Sequence, residues 1–74
     1  MRTIIEFRNG TQFCGVLELN NSALPNNGKA RLTIAEDIAQ SVMKHFEDKK
    51  VYADIYTQDE IDDVLNFVYR TNKD

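Results

Sequence analysis

Seventy-four residues, 42% hydrophobic and 28% charged with one proline and three glycines, suffice for one small domain that buries about 60% of its unfolded surface, and leave no apolar run near the roughly 18–20 residues of a membrane span. The net charge is −3, with four basic against two acidic residues up to Thr33 and five against ten beyond it; this balance argues against the clustered basic face of a nucleic-acid binder. A single Cys14 and a single His45 rule out an internal disulfide framework, offer little for a thiolate metal site, and make a reducing cytoplasm the expected compartment.

The chain opens as a hairpin. Met1 to Arg8 alternates around Thr3, Ile5 and Phe7, and Asn9-Gly10 supplies two residues that tolerate positive φ in a type I′ turn. Thr11 to Leu19 returns as the second strand. Residues 20–29 are a loop by composition, rich in Asn and broken by Pro25, and 30–32 leave room for a short extended piece. Thr33 with Glu36 forms a capping box, followed by an apolar stripe of Ile34, Ala35, Ile38, Ala39, Val42, Met43 and Phe46. That pattern predicts a helix ending near Asp48. Lys50 to Tyr56 reads as a third strand. Thr57 with Glu60 repeats the capping box, and Ile61, Val64, Leu65 and Val68 predict a second helix. From Thr71 the polar tail is expected to fray.

The order β-β-α-β-α over residues 1–74 implies an α+β two-layer domain. Strand three is expected beside strand one in a three-stranded antiparallel sheet, with both helices on one face. The expected core is Ile5, Phe7, Phe13, Leu17, Leu19, Ile38, Val42, Phe46, Val51, Ile55, Ile61, Leu65 and Val68. Alternation then sends Arg2, Ile4, Glu6, Arg8, Gln12, Cys14, Val16, Glu18, Tyr52, Asp54 and Tyr56 to the opposite face. Among them Ile4, Cys14, Val16, Tyr52 and Tyr56 form an apolar patch rimmed by charge, the anatomy of an interface with a protein partner or a second copy in a homodimer. Cross-strand Val–Tyr pairs also stabilise a solvated sheet without any partner; the clustering of five such residues favours the interface.

Other features carry less. Asp59, Glu60, Asp62 and Asp63 suit the amide end of the predicted second helix and offer an acidic docking surface; without an EF-hand-like loop they do not argue for a metal. No second group pairs with His45 or Cys14 for acid–base or nucleophilic work, so no catalytic residue is expected. Gly15 marks a bulge or a close contact with a helix side chain. Phe67 falls at the edge of the second stripe, as core cover or contact residue. Asn26-Asn27-Gly28-Lys29 lacks the first glycine and the Ser/Thr of a phosphate loop. Lys29 and Arg31, with Arg2 and Arg8, still offer contacts to a small anion at an oligomer seam. The N-glycosylation patterns at Asn9 and Asn20 carry no weight without a secretory signal. These features imply no cofactor and no membrane partner. They predict a non-enzymatic protein-binding module, an inhibitor or adaptor acting by surface occupation. In size and charge the chain resembles the small accessory proteins of phages and other compact viral genomes, which block host machinery. The alternative is a protein that binds or sequesters a small ligand or nucleotide.

Overall fold

The alternation around Thr3, Ile5 and Phe7 is realised as strand β1 (Arg2–Asn9), which turns at Asn9-Gly10 into β2 (Gln12–Leu19). Gly10 has φ 60°, a left-handed conformation that a residue without Cβ enters without steric cost. The computed structural model describes residues 2–20, 22, 24, 25, 27–58, 61 and 64–72. Beyond the hairpin it contains helix α1 (Gly28–Met43), strand β3 (Tyr52–Gln58) and strand β4 (Leu65–Asn72).

The helix begins at Gly28, ahead of the capping box at Thr33. Asn27 caps it, its side-chain oxygen accepting from the amides of Lys29 at 2.9 Å and Ala30 at 3.2 Å. Thr33 lies inside the helix, where its hydroxyl donates to the Lys29 carbonyl at 3.0 Å. The buried stripe is Arg31, Ala35, Ala39 and Met43. Two alanines at its centre allow the helix axis to lie close to the sheet. Leu32, Ile38 and Val42 pack on either side.

The larger correction concerns the second helix. Leu65–Asn72 is a strand, so the described residues form a four-stranded antiparallel sheet of order β2-β1-β3-β4 with one helix, not three strands and two helices. Strand β3 does lie beside β1, antiparallel. The segment Leu-Asn-Phe-Val-Tyr-Arg-Thr-Asn contains the aromatic and β-branched residues that suit a pleated surface. A register shift where it meets Ile55 and Tyr56 leaves Val68 unpaired, with Tyr69 opposite Ile55 and Phe67 opposite Tyr56. This bulge breaks the two-residue period and leaves apolar spacings that mimic a helical stripe. Asp59, Glu60, Asp62 and Asp63, assigned to the start of the second helix, lie outside the described residues.

A second bulge reorders the hairpin. Phe7 faces Gly15 and Arg8 faces Phe13, which leaves Cys14 as the extra residue. Phe13 is thereby turned out of the expected core and is 54% exposed, while Cys14 packs against the core. The core lies between the helix and one sheet face: Ile5, Phe7, Ala35, Ala39, Met43, Val51, Ala53 and Ile55. Phe46 contacts Phe7 with ring centroids 5.6 Å apart. Leu17 and Leu19 are half-buried against this cluster. Ile61, Leu65 and Val68, also expected inside, are exposed. No helix among the described residues is long and apolar enough to cross a membrane.

Candidate functional site: the helix-free face of the sheet

Among the described residues one helix covers one side of the four strands and nothing covers the other. Cross-strand pairing defines its rows. Phe13, Arg8, Tyr52 and Asn72 stand in line, followed by Val16, Glu6, Asp54 and Arg70. Next come Glu18, Ile4, Tyr56 and Phe67, and the last row is Arg2, Gln58 and Leu65. Val16 is 60%, Phe67 56% and Leu65 51% exposed, whereas Ile4, Tyr52 and Tyr56 are half-buried among their neighbours. The Tyr56 and Phe67 rings meet edge to face at 5.7 Å.

The centre of the face is polar. Glu6 and Asp54 are direct cross-strand partners, a like-charge juxtaposition that costs stability unless it is neutralised. Two arginines do this. Arg70 holds Asp54 through both guanidinium branches, at 2.6 and 3.1 Å, and lies over the Tyr52 ring at 4.3 Å. Arg8 binds Glu6 and lies 5.8 Å from the Phe13 ring centroid. At the margin Arg2 stands 3.6 Å from Glu18. The hydrogen bonds to Glu6 and Asp54 raise the pKa values of Arg8 and Arg70, respectively. Tyr56 is raised mainly because burial disfavours its phenolate; Asp54 and Glu6 add to the shift, and Arg8 and Arg70 oppose it. The Asp54 side chain is only 4% exposed although it belongs to this face.

Of the residues expected on the interface, Ile4, Val16, Tyr52 and Tyr56 come together, while Cys14 is withdrawn to the core side by its bulge. Sequence reasoning missed Phe13, Leu65 and the role of Arg70, and left Phe67 undecided. The only local signal for Phe13 was Gly15. The proposed anion contacts do not converge. Arg2 and Arg8 lie on the open face, and Lys29 is exposed in the first turn of α1. Arg31 is buried beneath the helix, where Nη1 donates to Thr3 Oγ1 at 3.4 Å. There a cavity of about 180 Å3 lies between Arg31, Leu32 and Ala35 of α1 and Thr3, Ile55 and Val68 of the sheet. His45 is exposed in the turn after α1, and Cys14 packs on β2 against the core. Among the described residues no three His, Cys, Asp or Glu side chains are grouped to hold a metal ion. Comparison with protein-family models, curated proteins and solved structures finds no match to this chain.

Proposed function

We propose that this chain is a non-enzymatic protein-binding module, an inhibitor or adaptor that acts by occupying a surface, and that the helix-free face is what it presents. One observation carries the reading. Phe13, Val16, Leu65 and Phe67, all more than half exposed, share a single sheet face with Ile4, Tyr52 and Tyr56. Large apolar and aromatic side chains grouped around satisfied polar groups are the composition of a contact surface, where scattered single residues would be ordinary. A second reading rests on the cavity beside Arg31. Its volume suits a ring-sized ligand, and a buried guanidinium suits an anionic substituent.

The two readings separate in one comparison of wild type with Val16→Glu as affinity baits. The expected result is a specific protein bound by wild type and lost with the variant, with no ligand raising the melting temperature. A partner held equally by both baits contradicts the use of this face. A ring-sized acid that raises the melting temperature by several degrees supports the cavity instead.

A further inference from the structure

Resting on the open face as the contact surface, we infer that in the purified chain, with no other protein present, its occupant is a second copy of this chain, packed face to face with the two sheets crossed. Charge is the first argument. The face carries Arg2, Arg8 and Arg70 against Glu6, Glu18 and Asp54, and each arginine is paired with one of these acids. The described residues of the face are therefore neutral in sum, within a chain of net charge −3. A neutral surface with its ions already paired fits another neutral apolar surface, and two like-charged copies repel each other least through it.

Shape is the second argument. The apolar side chains occupy two diagonal corners. Phe13 and Val16 stand on edge strand β2 at one end of the face, and Leu65 and Phe67 stand on edge strand β4 at the other. A two-fold axis in the plane between crossed sheets lays the β2 corner of each copy on the β4 corner of its partner. This is the reciprocal pairing an isologous dimer requires, and orthogonal sheet packing is an established arrangement. Area is the third. Four strands about 4.8 Å apart, with about seven residues each rising about 3.4 Å, project about 450 Å2. Two faces together give about 900 Å2 before side-chain relief is counted, at the threshold of roughly 1,000 Å2 for a specific interface.

Sedimentation equilibrium of the purified chain tests the inference. Wild type is expected at twice its 8.5 kDa mass, with a dissociation constant that changes less than about twofold between low and high salt because the ions are paired within each copy. Val16→Glu is expected to be monomeric with an unchanged circular dichroism spectrum, as Val16 is exposed in the single chain. Adding Phe67→Arg to Val16→Glu is expected to restore the dimer. Within one copy these positions are three strand spacings apart, about 14 Å, too far to pair, so restoration reports a contact between copies. A dimer indifferent to Val16→Glu, or a double variant that stays monomeric, overturns the crossed pairing. Monomeric wild type overturns self-association. If Val16→Glu then still loses a captured partner, the broader reading of the face stands; if it loses nothing, both fail.

Discussion

Tyr56 concentrates on one hydroxyl the forces that shape the open face. Burial, Asp54 and Glu6 all resist its ionisation, and Arg8 and Arg70 only partly offset them. Below its ordinary value of 10.0 the phenol is protonated in both folded and unfolded chains and adds no pH dependence. Above that value the unfolded chain releases the proton first while the folded chain retains it. Stability therefore falls as pH rises from about 10 through the folded pKa. Urea midpoints taken at about pH 9 and pH 11 are expected to drop further for wild type than for Tyr56→Phe, and equal drops contradict the shift. At this scale the sequence was partly legible. The outward placement of Tyr52, Asp54 and Tyr56 follows from plain alternation along β3, which the structure preserves. The exchange of Phe13 for Cys14 was not legible, because an extra residue opposite Phe7 and Arg8 inverts every side chain beyond it.

Strand β4 is the element that sequence reasoning lost, and its attachment shows why. Local pattern offered Ile61, Val64, Leu65 and Val68 at helical spacing. What the pattern could not show was the partner: the outer edge of β3 and, within it, Asp54, sixteen residues from Arg70. Short apolar runs do not distinguish strand from helix by period alone, and here a bulge at Val68 disguised the period as well. The Asn9-Gly10 hairpin, by contrast, depends on two adjacent residues and was legible at once. The start of α1 was hidden because Asn27 sits in a loop-like run of asparagines, while Thr33 offered a more familiar cap. The Arg70–Asp54 pair ties β4 to β3, so Arg70→Met leaves a carboxylate almost fully withdrawn from water without its partner. A lower urea midpoint is expected, since the charge-assisted pair is lost while Asp54 stays withdrawn from water. Adding Asp54→Asn is expected to recover part of that loss. An unchanged midpoint in the single variant contradicts the tie.

At the scale of the whole molecule, the described residues place a single helix over a four-stranded sheet and leave one broad side uncovered, its ions paired and its margins aromatic. The expectation of a bare sheet face comes from alternation along the strands with helical cover on one side, and it does not depend on the number of strands. Conversion of the supposed second helix into β4 widens the face and adds Leu65, Phe67 and Arg70 to it. Two bulges, one in each edge strand, turn Phe13 and Phe67 outward and add them to what alternation already places on the open face. Amide chemical shifts followed over a wide range of protein concentration test self-association through this face most directly. The account predicts shifts confined to the strands of the open face, centred on Val16, Tyr56 and Phe67, with Asp37 and Ser41 on the exposed side of α1 unmoved. Shifts centred on the helix or around Arg31, or none at any concentration, would contradict it.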